Sequence, residues 1–304
     1  MSRPLRGILT ALVTPFDEKG EIDWASWERL IRDQIAAGVD AVVPCGTTGE
    51  SPTLRRQEKC ALIESAIRIC KDSSVAVLAG TGSNSTPDTV EFSSWASQAG
   101  VDGVLVVTPY YNKPSQAGLY DHFIQVAQAV NCPVILYNVP GRTGVGISPE
   151  TVAKLALNPK IRAIKEASGN VAFSSDILDA CRSAGTSIEI LSGDDATYLP
   201  ALAVGATGVI SVASNLFPRA MVEMKNAWNA KQPDRAMELH QQYYPLFRDL
   251  FIESNPTPIK TALSWVGMGL PQVRPPLNPL SESSLKQLQA SLVACGFSRQ
   301  GGTR

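Results

Sequence analysis

Pro133-Val134-Ile135-Leu136-Tyr137-Asn138-Val139-Pro140 is a near-continuous apolar run, and Ile161-Arg162-Ala163-Ile164-Lys165-Glu166-Ala167 is the next one along the chain. Runs rich in Val, Ile and Leu that do not alternate with polar residues are what parallel strands covered on both faces require. Between the two, Ser148 stands before Pro149-Glu150, a helix start with a capping hydroxyl and proline at the first helical position. The same unit recurs outward in both directions. Further runs begin near Gly7, Asp40, Val75, Gly103, Ile188 and Gly208, which makes eight. Amphipathic stretches lie between them: Trp24, Trp27, Leu30, Ile31 and Ile35 fall at helical spacing, as do Leu119, Phe123, Val126, Ala127 and Val130, the latter set preceded by Ser115. Run starts are roughly 20 to 35 residues apart, the length of one strand-helix unit. Eight such units in about 230 residues predict an α/β fold, a (β/α)8 TIM barrel. An open doubly wound sheet is the alternative, but it has no reason to stop at eight.

Beyond Asn215 the strand signal ends. Residues 219–230, 234–253, 256–266 and 281–294 read as helices, the last closed by Gly296, and the proline-rich stretch 271–279 separates the final one. The expected organisation is a barrel over residues 1–230, with its active site at the strand C-terminal ends, and a C-terminal helical extension over 231–304. Residues 298–304 read as a frayed end.

Composition narrows the function. The chain has 304 residues, with 27 Lys and Arg against 28 Asp and Glu, and no block of like charge. That argues against a nucleic-acid groove or a polybasic membrane anchor. Charged residues make up 18% and apolar ones 44%, which implies a large interior or a buried subunit surface. Six scattered cysteines without CxxC read as reduced thiols of a cytoplasmic protein, Cys45 among them as a packed thiol. The start, Arg3-Pro4-Leu5-Arg6 and then residues 7–13, superficially resembles a signal peptide. Thr10 interrupts its apolar stretch, and Thr14-Pro15 and Asp17-Glu18-Lys19 follow, so it reads as a first strand. The two histidines, His122 and His240, lie in helical segments and read as surface or partly buried helix residues; a Ser-His-Asp triad or a multi-histidine zinc site needs more.

In such a barrel, reactive groups sit just after each apolar run. Lys165 is the sharpest candidate. An amine at the mouth of an apolar strand is expensive to keep charged, and a neutral amine attacks carbonyls to form a Schiff base. A strand-end lysine reaching solvent beside Glu166 is the other reading. Tyr137, ending the preceding strand, is either a proton shuttle for imine chemistry or a core residue. Thr47 and Thr48, between Gly46 and Gly49, either bind a carboxylate and relay a proton or sit in a tight turn. Arg142, between Gly141 and Gly144, is either a bidentate carboxylate clamp or an exposed loop residue. Gly80-Thr81-Gly82 lacks the third glycine of a dinucleotide fingerprint and reads as a turn, with Ser85 or Thr86 capping the next helix. Asp194-Asp195 has no matching ligand set for a metal and reads as helix capping.

Taken together, Gly46-Thr47-Thr48-Gly49-Glu50-Ser51, Thr108-Pro109-Tyr110-Tyr111-Asn112, Leu136-Tyr137-Asn138-Val139-Pro140 with Arg142-Thr143-Gly144, Ile164-Lys165-Glu166-Ala167, Leu191-Ser192-Gly193-Asp194-Asp195 and Gly208-Val209-Ile210-Ser211-Val212 closely resemble the dihydrodipicolinate synthase family, within the class I pyruvate-dependent aldolases and lyases. The likeness covers nearly the whole chain and weakens in the C-terminal helices. It implies condensation of pyruvate with L-aspartate 4-semialdehyde to 4-hydroxy-tetrahydrodipicolinate, on the route to diaminopimelate and lysine, with neither cofactor nor metal. By the same resemblance Lys165 forms the imine, and Tyr137, Thr48 and Tyr111 relay protons, Tyr111 reaching in from a neighbouring subunit. Thr47, Thr48 and the backbone of Gly193 and Ile210 surround the pyruvate portion, and Arg142 holds the semialdehyde carboxylate or orients a loop that does. Family members are commonly homotetramers, pairs of dimers.

Relatives on the same barrel that act on sugar acids share the lysine and the strand-5 tyrosine; Arg142 favours the semialdehyde. In lysine-inhibited members the effector pocket resembles Ser51, Asn84 and Tyr110. Those members typically carry a histidine where this chain has Lys59 and a glutamate where it has Asp88, and Arg56 stands where an imidazole is common. Extra cations repel the ammonium groups of lysine, so weak or absent lysine inhibition is expected.

Overall fold

The computed structural model describes residues 5–297. Eight parallel strands close in the order β1 to β8, the barrel expected from the repeat. They are β1 (Gly7–Ala11), β2 (Ala41–Val43), β3 (Ala76–Gly80), β4 (Gly103–Val107), β5 (Val134–Asn138), β6 (Ile161–Glu166), β7 (Glu189–Ser192) and β8 (Gly208–Ser211). Both faces of nearly every strand are buried, as the lack of alternation requires. β2 stops early because Pro44 has no N–H to give the ladder. The first apolar run is strand β1, as read; Arg3 and Pro4, and the expected frayed end 298–304, lie outside the described residues.

The helices among the described residues are α1 (Trp24–Ala37), α2 (Arg56–Cys70), α3 (Thr86–Ala99), α4 (Gln116–Ala129), α5 (Pro140–Thr143), α6 (Pro149–Ala156), α7 (Val171–Ser183), α8 (Asp195–Ala203), α9 (Pro218–Asn229), α10 (Pro233–Asp249), α11 (Thr257–Trp265) and α12 (Glu282–Ala294). Ser115 and Ser148 cap α4 and α6, each side chain accepting a first-turn N–H. Ser85 rather than Thr86 caps α3, and Asp194 caps α8 by accepting the Ala196 N–H. The single turn α5 is new relative to the sequence pattern, too short to show a period. The helix expected to run to residue 253 ends at Asp249, and residues 250–256 form turns. Pro256 disfavours helical backbone at Asn255, which keeps this connection out of the helix.

The compact units do not follow chain order. One comprises Ala76–Ile210 with the chain up to Gly7 and carries β3 to β7 with α3 to α8, together with most of β8. The other comprises Ile8–Val75 with the chain from Ser211 onward, so that α9 to α12 belong with the N-terminal strands. Within this second unit the tie is a polar network. Gln34 accepts from Thr10 Oγ1 at 2.7 Å and donates to the Ser214 carbonyl at 3.0 Å, while Asn215 accepts the Val13 N–H and donates to the Ala11 carbonyl. Asp40 accepts the Ile8 N–H and pairs with Lys225, both contacts at 2.8 Å. Each of these side chains is satisfied by a partner distant in sequence, which makes the network specific as well as stabilising.

Candidate active site

Strand register alone sets the first half of the site. Tyr137 on β5 stands opposite Lys165 on β6, and Asn138 opposite Glu166. Lys165 Nζ lies 4.2 Å from the centre of the Tyr137 ring, with both residues buried at 6% and 7% exposure. The amine lies against the negative face of the ring. The reading of Lys165 as a side chain reaching solvent is therefore set aside: it is buried, and Glu166 is engaged elsewhere. Asn138 Nδ2 donates to Glu166 Oε2 at 2.7 Å, and Glu166 Oε1 accepts the Ser168 N–H at 2.6 Å. Asn138 Oδ1 accepts the Ile147 N–H. These partners occupy Glu166 and fix the two strand ends against each other. Nothing in the amino-acid order marks Asn138 beyond its adjacency to Tyr137.

Gly193 sits where no side chain fits, since a Cβ there would lie 2.4 Å from the Ala167 Cβ. Its N–H is spent on the Glu166 carbonyl at 2.7 Å, so only its carbonyl is left to face a ligand. Ile210 is fully buried on β8. Burial raises the Asp194 carboxyl above the usual carboxylate range, and the Ala196 N–H and the Lys165 charge only partly offset it.

Two loops of the same unit carry the remaining expected groups. Arg142 is exposed on α5. Tyr111 is 89% exposed and held in left-handed backbone at φ 72°, with its N–H on the Thr143 carbonyl at 3.2 Å. A bulky residue in that conformation is strained, and strain of this kind persists where surrounding contacts impose it. Asn112 Nδ2 holds the loop down on the Asn84 carbonyl at 2.8 Å.

The threonine loop belongs to the second unit and is built differently. Thr48 is buried, and its Oγ1 accepts from Asn255 Nδ2 at 2.9 Å. Glu50, also in left-handed backbone, forms a fully buried pair with Lys260 at 2.7 Å, and its other oxygen accepts the Arg274 N–H at 2.8 Å. Lys260 Nζ and the Arg274 guanidinium lie 4.0 and 4.3 Å from the Phe16 ring centre. Burial pushes the Lys260 amine down to about 8 against the raising effect of Glu50. Arg274 further pairs with Glu58 and the Gly20 carbonyl. Asn255, Lys260 and Arg274 escaped sequence reasoning because they lie some 200 positions from the residues they contact; only the break before Pro256 hinted at one.

Of the other residues singled out, Ser51 donates its N–H to the Gly46 carbonyl, Asp88 gives its N–H to Ser85, and Tyr110 is exposed on the Tyr111 loop. Arg56 and Lys59 lie on the first turn of α2, with burial drawing the Lys59 amine down from its ordinary range. Cys45 is buried with its thiol pushed up to about 12 by burial, a packed group rather than a nucleophile. His122 is more deeply buried than expected, because it faces inward between helices, its Nδ1 2.9 Å from Thr86 Oγ1, and burial draws it down to about 4. His240 is half-buried on α10. Among the described residues no group of three His, Cys, Asp or Glu is placed to hold a metal, and no helix is long and apolar enough to cross a membrane.

A closed parallel barrel with a buried lysine over a tyrosine at adjacent strand ends defines the class, a (β/α)8-barrel lyase. Within it the chain belongs to the Dihydrodipicolinate synthetase family, whose model matches residues 4–295. It is 45% identical over 288 residues to the 4-hydroxy-tetrahydrodipicolinate synthase of Leptospira biflexa, covering 95% of this chain and 96% of the relative. The solved 4-hydroxy-tetrahydrodipicolinate synthase of Methylacidiphilum fumariolicum superposes with a TM-score of 0.92 at 45% identity, covering 96% of each chain. The chloride-inhibited dihydrodipicolinate synthase of Acinetobacter baumannii, solved with pyruvate, gives 0.92 at 41% identity, covering 96% of this chain and 99% of that one.

Proposed function

We propose that this chain condenses pyruvate with L-aspartate 4-semialdehyde to give 4-hydroxy-tetrahydrodipicolinate, on the route to diaminopimelate and lysine. The observation that carries the reading is the buried Lys165 amine 4.2 Å from the Tyr137 ring centre. Lys165 attacks the pyruvate ketone, and the carbinolamine loses water to become the imine. Loss of a methyl proton gives the enamine, whose carbon adds to the semialdehyde aldehyde; ring closure by the substrate amine then releases the lysine. Each step moves a proton, and Tyr137, Thr48 and Tyr111 carry them. An exposed Tyr111 suits delivery into a neighbouring subunit, as part of a homotetramer. Thr47, Thr48 and the backbone of Gly193 and Ile210 surround the pyruvate-derived portion, and Arg142 holds the semialdehyde carboxylate, where a guanidinium fork matches it, or orients a loop that does. The reaction needs neither cofactor nor metal, and the cytoplasm is its compartment.

Of the effector positions, Ser51, Asn84 and Tyr110 remain, but Asp88 shortens the carboxylate, Arg56 and Lys59 add positive charge on α2, and lysine inhibition is expected to be weak or absent; a micromolar half-point would overturn that. The main test is borohydride reduction with pyruvate and peptide mapping, with and without semialdehyde. The expected result is a reduced adduct on Lys165 that vanishes when semialdehyde turns over. An adduct that persists points to another aldehyde acceptor, as in an aldolase that makes and cleaves a sugar acid, and no adduct refutes the imine.

A further inference from the structure

We propose that Asn255 is a positioning residue that sets the direction in which the Thr48 hydroxyl gives its proton, an inference resting on the relay role just assigned to Thr48. Asn255 lies in the turns between α10 and α11, buried at 5% exposure, and its Nδ2 donates to Thr48 Oγ1 at 2.9 Å from 207 positions away. A hydroxyl has one hydrogen and two lone pairs. With one lone pair filled by the amide, Thr48 keeps one hydrogen to give and one lone pair to receive, the two capacities that a relay member uses. The amide N–H also stabilises the charge that builds on Oγ1 as its hydrogen leaves.

Packing alone does not account for this side chain. Its Oδ1 is buried with no hydrogen-bond partner, a costly arrangement that an apolar side chain of similar size would avoid. Nor is Asn255 needed to hold the loop backbone. Glu50, two positions beyond Thr48, is anchored separately by Lys260 and by the Arg274 N–H. Removing the amide therefore changes the hydroxyl more than the loop that carries it.

The experiment compares wild type, Asn255→Ala, Asn255→Asp, Thr48→Val and the Thr48→Val/Asn255→Ala double variant. Two quantities are measured across pH: the rate of imine formation with pyruvate alone, and turnover with semialdehyde. Asn255→Ala should slow imine formation and kcat at least about tenfold while leaving the KM for pyruvate within about twofold. Asn255→Asp replaces the donor by an acceptor that claims the Thr48 hydrogen. It should be slower still at neutral pH and recover toward the alanine variant as its carboxyl protonates at lower pH. In the Thr48→Val background, Asn255→Ala should add nothing.

Full activity in Asn255→Asp, a raised KM with unchanged kcat, multiplying effects in the double variant, or failure of both single Asn255 variants to fold would each overturn the proposal. A wild type that forms the imine yet does not consume semialdehyde would overturn the proposed function instead, and the Asn255 comparison would still be read from the imine rates. A wild type forming no imine would overturn both.

Discussion

The lysine–tyrosine pair and the threonine loop are both buried polar sites at strand ends, yet they are assembled by different means. Lys165 and Tyr137 meet because β5 and β6 are neighbours in register, and their nearest supports, Asn138 and Glu166, are the next residues along the same strands. Thr48 and Glu50 are held from the far end of the chain, by Asn255, Lys260 and Arg274. The first arrangement is a property of the barrel sheet; the second exists only when the C-terminal helices have docked. Damage to the first should therefore show mainly in chemistry, and damage to the second in stability as well.

The sharpest break in that contrast is Lys165→Ala, expected to remove the borohydride-trapped adduct and lower kcat by more than about 10⁴-fold. Its unfolding midpoint should stay near wild type, because the close partner of the amine is a ring rather than an anion. Glu50→Gln is the opposite case. It leaves the Lys260 charge buried without its anion, which should cost about 3–5 kcal/mol in denaturant unfolding. A loss of activity without loss of stability there would erase the distinction between the two regions.

Tyr137→Phe keeps the ring beneath Lys165 and removes only the phenol oxygen. We expect imine formation to slow about 10²-fold with little change in melting, measured by stopped-flow with pyruvate. An unchanged rate would mean that the ring, not the hydroxyl, is what the site uses.

The smallest effect comes from the helical layer around the first region. His122 is drawn down to about 4 by burial, so the unfolded chain takes up a proton first as pH falls. The stability present above pH 6.5 is lost progressively toward about pH 4, and between pH 6.5 and 5 the loss from this group is about 1.5 kcal/mol. Denaturation of wild type and His122→Asn at the two pH values should show a flatter dependence in the variant.

Much of the fold is legible in the amino-acid order. Near-continuous apolar runs at a regular interval predict the barrel, because a strand covered on both faces has no choice but to be apolar throughout. Lys165 and Tyr137 stand out as polar groups ending such runs, and strand order places consecutive runs side by side. Ser115 and Ser148 are readable caps, since capping is settled within four residues. The single turn α5, the stop of α10 at Asp249 and the burial of His122 are not readable. A one-turn helix has no period, and inward orientation depends on what packs against it.

The amino-acid sequence by itself determined the strand-helix repeat, the polar residues paired on adjacent strands and the family, all of which rest on local order or on residues close in sequence. Only the tertiary structure decided that Asn255 caps the Thr48 hydroxyl, that Lys260 neutralises Glu50 and that Arg274 closes over Phe16. Those contacts span some 200 positions and are made through side chains whose neighbours in sequence carry no trace of the partner. They exist because a buried donor or charge must find its complement, and only the folded chain determines which one is within reach.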